Sequence, residues 1–230
     1  MKKICKITLL LICIMASVTI TSVLAQAGNI TINKTNVILS PKQTFQLKIT
    51  GSKKKIKWST SKKKTVFVSN NGKITAKSTG SATITAKIGK KKYTCNVKVM
   101  TTKAISKKLA SAYNWHCENV WNKGFCDIYH YIEDGSDSVG KKMNIEKTLS
   151  KLKTTLRKKE AWNSFVTSLQ GKKYKKYKST WKKLYRETLR LEKCLKAGTP
   201  EPKSNYYFPY EKYSDYLLDL MGNCYDLEYA

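Results

Sequence analysis

From Ile30 to Val99 the apolar positions recur at every second residue, in short runs separated by turn-forming residues. That period predicts β-strands buried on one face. Phe45, Leu47 and Ile49 share a face, as do Ile56 with Trp58 and Val66 with Val68. At Asn70-Asn71-Gly72 the glycine supplies the positive φ that a tight hairpin demands, and Ile74 and Ala76 follow. Ala82, Ile84, Ala86 and Ile88 form the next inward row; after a turn at Gly89, Tyr93, Cys95, Val97 and Val99 close the sheet. About seven short strands of this kind fit an immunoglobulin-like sandwich.

Beyond Thr101-Thr102 the period changes from two to about 3.6. Ile105, Leu109, Ala112, Tyr113, Cys117, Val120, Trp121 and Ile128 have helical spacing, and "EDGSDSVG" at 133–140 interrupts it. A second helix carries Ile145, Leu149, Leu152, Leu156, Phe165, Val166 and Leu169 and ends near Gly171. The third runs from Tyr174 through Tyr177, Trp181, Leu184 and Leu191 to the stop "GTPEP" at 198–202. The last begins near Tyr210 and carries Leu217, Leu220, Met221 and Cys224. The expected chain is therefore multidomain: an all-β immunoglobulin-like sandwich at 28–101, then an all-α antiparallel bundle of about four helices at 102–230.

Charge sharpens that division. The net charge of the 230 residues is +30. Residues 28–101 hold seventeen lysines, no arginine and no acid, whereas 102–230 hold twenty-five basic and fifteen acidic groups. Such a surface attracts polyanions in a salt-dependent way. Three lysine triplets, Lys53–Lys55, Lys62–Lys64 and Lys90–Lys92, fall between the strand runs. The first and third belong to loops at one end of a sandwich, so Lys53, Lys54, Lys55, Lys90, Lys91 and Lys92 are expected to crowd a pole distal to the helices. Without arginine the module lacks the fork that reads bases, which argues against specific nucleic-acid recognition.

At the N-terminus, Lys2, Lys3 and Lys6 precede an apolar run from Ile7 to about Ile20, and Ala25-Gln26-Ala27 offers a cleavage site before Gly28. This reads as a signal peptide at 1–27 and implies an extracellular or cell-surface location. The alternative, an uncleaved anchor, is weakened by Thr8, Ser17 and Thr19; Cys13 lacks the small preceding residue of a lipoprotein signal. No later run has the length and apolarity of a membrane span.

Three spaced elements carry a family resemblance: Trp58-Ser59-Thr60-Ser61, the stretch Val66 to Ala76, and Gly80 to Ala86. They resemble the W-x-S-S/T, V-x-V-x-x-x-G-x-I/V-T-A and G-x-A-x-I-T-A elements of the bacterial immunoglobulin-like domain, group 2. The resemblance covers about seventy residues, with two departures: the glycine usual before the second strand is replaced around Lys42-Gln43, and the loop after Trp58 is lysine-rich. It implies a surface-displayed module that spaces or presents a ligand-binding unit, without naming the ligand. No family resemblance attaches to residues 102–230.

The helical half offers few chemical groups. His116 and His130, the two histidines, lie fourteen residues apart on one helix, about 21 Å along its axis, too far to share a metal. Cys126 and His130 sit one turn apart with Asp134 a turn further, an arrangement that could activate a thiolate; no oxyanion donors accompany it. Cys117, Cys126, Cys194 and Cys224 allow three disulfide pairings, with Cys126–Cys194 loosely favoured by height along the bundle; a reduced set is the alternative. Cys95 alternates with Val97 and Val99 and reads as a small buried hydrophobe. "EDGSDSVG" reads as an acidic loop rather than a calcium loop.

Tyr206, Tyr207, Phe208 and Tyr210 gather around Pro209 with Tyr213 and Tyr216 beyond. Exposed, they would contact sugar or protein; the alternative is a helix-entry loop packed onto the bundle. The expected function is thus non-enzymatic adhesion or ligand presentation, with no cofactor and no metal. The expected partner is an anionic wall polymer, a surface glycan or a surface protein. The rival readings are an enzyme centred on Cys126 and His130, and a pure spacer.

Overall fold

The computed structural model describes residues 29–228, so the signal-like segment at 1–27 lies outside the described residues. Nine strand segments come first: β1 (Thr31–Ile32), β2 (Asn36–Leu39), β3 (Thr44–Gln46), β4 (Ile49–Thr50), β5 (Lys57–Thr60), β6 (Val66–Val68), β7 (Lys73–Ala76), β8 (Gly80–Ile88) and β9 (Lys91–Val99). One sheet has the order β2-β9-β8-β5, the second β3-β7-β6, and β1 pairs with β4. β1–β2 and β3–β4 are each one strand with a bend, so the segments amount to the seven strands that alternation predicts. Asn33 holds the first bend: its amide donates to the Gln46 carbonyl at 3.0 Å and its oxygen accepts from the Lys48 N–H at 2.9 Å.

Val37, Leu39, Leu47, Val66, Ile74, Ala82, Ile84, Cys95 and Val97 fill the space between the layers, with the Trp58 ring packed at the rim. Burial pushes the Cys95 thiol up to about 12, as befits a cysteine used as a hydrophobe. Gly72 takes φ +82°, and a Cβ there would meet the Trp58 ring at 2.7 Å and the Leu47 carbonyl at 2.8 Å. Turn geometry and ring packing both require this glycine. Lys42, where the usual glycine is replaced, adopts φ +70°. The backbone keeps the conformation that glycine would take freely, and lysine bears the strain.

Helices follow after two residues. The Thr101 hydroxyl caps α1 (Thr102–Asn114) by accepting from the Ala104 N–H at 3.2 Å. A π-helical segment (Trp115–Phe125) with a kink at Lys123 leads into α2 (Cys126–Asp134). Then come α3 (Ile145–Leu156), α4 (Lys159–Ser168), a 3-10 turn (Lys172–Tyr174), α5 (Lys175–Ala197) and α6 (Glu211–Glu228). These make four rods, α1–α2, α3–α4, α5 and α6, around one core that includes Leu109, Phe125, Leu152, Trp181 and Tyr213.

Two features depart from the sequence reading. The second rod is broken at Arg157-Lys158, and Leu169 leaves the helix altogether. Leu169 instead forms a parallel bridge with Ile38 of β2, and the Gln170 N–H donates to the Ile38 carbonyl at 3.0 Å. Alternation along β2 sends Val37 and Leu39 into the sandwich and Ile38 out the other side, where it joins the helical core. The sandwich and the bundle are thus docked through β2 and α4. Beside this seam, within the bundle, Lys178 donates to the Leu169 carbonyl at 2.7 Å, and burial, with Lys34 of the sandwich nearby, lowers its ammonium pKa.

Candidate functional site

The outer face of the β2-β9-β8-β5 sheet carries the polar half of the alternation. Register places Lys57 opposite Lys87 and Lys87 opposite Lys92, a row of three ammonium groups on adjacent strands. Strand spacing puts neighbouring Cα atoms at about 4.5–5.5 Å, and like charges directly opposite destabilise a sheet. The module holds no carboxylate to pair with them. At the same end lie the loop with Lys53, Lys54 and Lys55 and the turn at Gly89-Lys90. All seven of these lysines are exposed.

Lys91 and Lys92 belong to β9 rather than to a loop, a correction to their sequence placement: the turn is tighter than a lysine triplet indicated, because Gly89 takes φ +59°. Lys57 and Lys87 were not singled out from the sequence. Their signal is the outward alternation beside Trp58 and between Ala86 and Ile88, but only the register brings them together. Lys62–Lys64 follow the other end of β5, and Lys62 approaches the bundle.

Further along the same face a second row is polar and uncharged. Ser61 pairs with Thr83 through its N–H (3.0 Å to the Thr83 carbonyl) and its hydroxyl (2.9 Å from the Thr83 N–H). Thr83 stands opposite Asn96, its hydroxyl donating to the Asn96 side-chain oxygen at 3.2 Å, and Asn96 stands beside Asn36. Helix α4 overhangs this row with Ala161, Ser164, Phe165 and Ser168, enclosing a groove of about 550 Å³.

Most of the aromatic stretch packs against the bundle. Phe208 is buried against Phe125, with ring centroids 5.7 Å apart. Tyr210 packs on Tyr129 at 4.4 Å, and the Tyr206 hydroxyl donates to the Cys194 carbonyl at 2.7 Å. Only Tyr207, 77% exposed, stands clear. The other three rings lie against the bundle, where Arg190 also holds the Pro209 carbonyl at 2.9 Å just before α6.

Cys126 does not look like a nucleophile. Burial raises its thiol pKa, Asp127 adds to that, and a hydrogen bond with Ser138 only partly offsets both. A reactive thiolate needs the opposite shift. Nor do the two cysteines of the favoured disulfide share surroundings: Cys126 neighbours Asp127 and Ser138, Cys194 neighbours Tyr206, and all five described cysteines are free thiols. The acidic loop is internally satisfied. Asp134 accepts from the Ser136 N–H at 2.8 Å and hydroxyl at 2.6 Å, bonds that lower its pKa, and Asp127 accepts from Ser138. Among the described residues no cluster has the make-up of a metal site, and no helix is long and apolar enough to cross a membrane.

Residues 26–97 match the family described as bacterial Ig-like domain (group 2). Among solved structures, domains 4 and 5 of the S-layer protein SbsC share 27% identity, covering 31% of this chain and 51% of that one, at a TM-score of 0.26. Domains 5–6 of the same protein share 26% identity over 31% of this chain and 42% of that one, also at 0.26. An intimin mutant of EHEC O157:H7 shares 21% identity over 34% of this chain and 54% of that one, with a TM-score of 0.26. The chain thus spans about half the length of each of these three structures. Among curated proteins none matches.

Proposed function

Residues 26–97 are a bacterial Ig-like domain of group 2, and from that premise we propose a non-enzymatic, surface-associated binding protein whose sandwich holds anionic polymer electrostatically. The observation that carries this reading is the row Lys57, Lys87 and Lys92 on three neighbouring strands of a module without a single acid. Each like-charge opposition costs the sheet some tenths of a kcal/mol, to about 1 kcal/mol at most. A polyanion relieves that cost, so the same repulsion that weakens the free module favours its bound form. Lysine suits the task as a hydrated point charge that tolerates irregular spacing of phosphates or carboxylates. The signal-like N-terminus, read from residues 1–27, supports display outside the cytoplasm, where wall polymers supply such anions. The bundle, docked on β2, gives the sandwich a fixed seat and leaves the lysine end free.

Binding of the chain to linear polyphosphate, followed from about 50 to about 500 mM salt, tests the reading. Affinity is expected to fall steeply with salt. Replacing Lys57, Lys87 and Lys92 together by Gln should flatten the log–log slope by about 2, taking roughly 0.7 counterions per contact. The same variant should be more stable at low salt by about 0.5–1 kcal/mol. Salt-independent retention, or a triple variant that binds as wild type, overturns it.

A further inference from the structure

The groove under α4 lies on the same sheet face as the lysine row, but it is built differently. Its floor is the hydroxyl and amide row of Ser61, Thr83, Asn96 and Asn36, crossing four strands. At one strand spacing per step, the row spans about 14 Å. Its members repeat at the inter-strand spacing. The Thr83 hydroxyl donates to Asn96 and Ser61 accepts from the Thr83 N–H, which holds the row in line. Lone pairs of the hydroxyls and the Asn96 amide N–H groups are left for a ligand. Overhead, Ala161, Ser164 and Ser168 come from α4 at positions separated by three and four, and their small side chains keep the groove open. Among the described residues, Lys62 and Lys98 are the only charged ones that line it. The groove therefore combines net positive charge with a file of neutral hydrogen-bonding groups.

We propose that this groove binds an anionic polyol chain, in which hydroxyl-bearing units alternate with phosphates. The hydroxyls would exchange hydrogen bonds with the Thr83–Asn96 row while the phosphates meet Lys62 and Lys98. Charge complementarity narrows the occupant to an anion, since among the described residues the lining has cations and no carboxylate. The file of hydroxyl and amide groups between the lysines favours one that carries hydroxyls between its charges. An acidic peptide is the competing occupant, and polyglutamate binding more tightly than the glycerol-phosphate oligomer of equal charge overturns the assignment. The proposal rests on the electrostatic reading above and deepens it. The lysine row, about 13 Å further along the strands at 3.3 Å per residue, reads charge alone; the groove reads hydroxyls between charges. Thr85 and Thr94, paired on adjacent strands, continue the polar track between the two.

The test compares the full chain's affinity for a glycerol-phosphate oligomer and for linear polyphosphate of equal charge. Two or three net hydrogen bonds should give the oligomer a preference of about tenfold. Ser164, exposed on α4, is a position where Ser164→Trp would fill the groove. That variant should reduce the preference to near unity, while polyphosphate binding keeps its response to the Lys57, Lys87 and Lys92 replacements. Thr83→Val, nearly isosteric and well suited to a strand, should reduce it about threefold, and serves if the tryptophan variant does not fold. No preference in the wild type, or a preference that survives in the folded variants, overturns the groove while leaving the lysine row standing. If neither anion binds, both proposals fall. If polyphosphate binding ignores the Lys57, Lys87 and Lys92 replacements while the oligomer preference responds to Thr83→Val, only the lysine-row reading fails.

Discussion

Two positive-φ positions in the sandwich show what one residue decides. Gly72 and Lys42 both sit near the left-handed region, at +82° and +70°, but only one has the residue the conformation favours. Gly72→Ala places a Cβ within 2.8 Å of both the Trp58 ring and the Leu47 carbonyl. Adding backbone strain to overpacking, it should cost roughly 2–4 kcal/mol. Lys42→Gly should have the opposite sign, raising stability by up to about 1 kcal/mol, since release of strain exceeds the entropy that glycine adds to the unfolded chain. Urea unfolding of both variants reads the two signs directly; a destabilised Lys42→Gly would show that the lysine is held there by contacts worth more than its strain.

Among the elements, the π-helical segment shapes the chemistry of the bundle. It carries His116 inward, where Nδ1 lies 2.8 Å from the Tyr213 hydroxyl and the ring sits edge-on to Trp115 and Trp181. Burial alone lowers its pKa to about 3. In the unfolded chain a histidine takes up its proton near pH 6.5. Between those values the unfolded state binds more protons, so stability falls as pH falls through that window. The depression corresponds to on the order of 4–5 kcal/mol lost between pH 7 and pH 3. His116→Gln should flatten the pH dependence of the unfolding midpoint across this range; an unaltered acid limb would assign the loss to carboxylates instead. Spacing identified this helix but not its inward histidine, because a widened turn shifts which residues share a face.

For the whole molecule, the decisive contact is β2 against α4. Ile38, 7% exposed, belongs to the helical core although its chain neighbours belong to the sandwich. Ile38→Lys would place a cation in that seam and remove a buried aliphatic chain, a loss of about 2 kcal/mol or more for the docked state. The expected outcome is separation of one thermal unfolding transition into two, helix and sandwich, by circular dichroism at wavelengths that distinguish them. A single transition at the wild-type temperature would mean that the seam contributes nothing to cooperativity. The same docking creates the groove beneath α4, so a variant that undocks the modules should also lose the preference for hydroxyl-bearing anions.

Much of this protein is local and therefore legible in the chain. The period-two runs around Trp58 and Cys95, the turn at Gly72, the helical spacing through Trp181 and Leu184, and the missing acids of residues 28–101 all depend on neighbours within a few positions. Tertiary structure alone decided the rest. The row of Lys57, Lys87 and Lys92 needs the register of three strands separated by loops. The exit of Leu169 from its helix needs an edge strand to receive it, and the burial of Phe208 needs Phe125 from a distant rod. Periodicity reports which side of an element is apolar; it carries no information about which other element that side will meet.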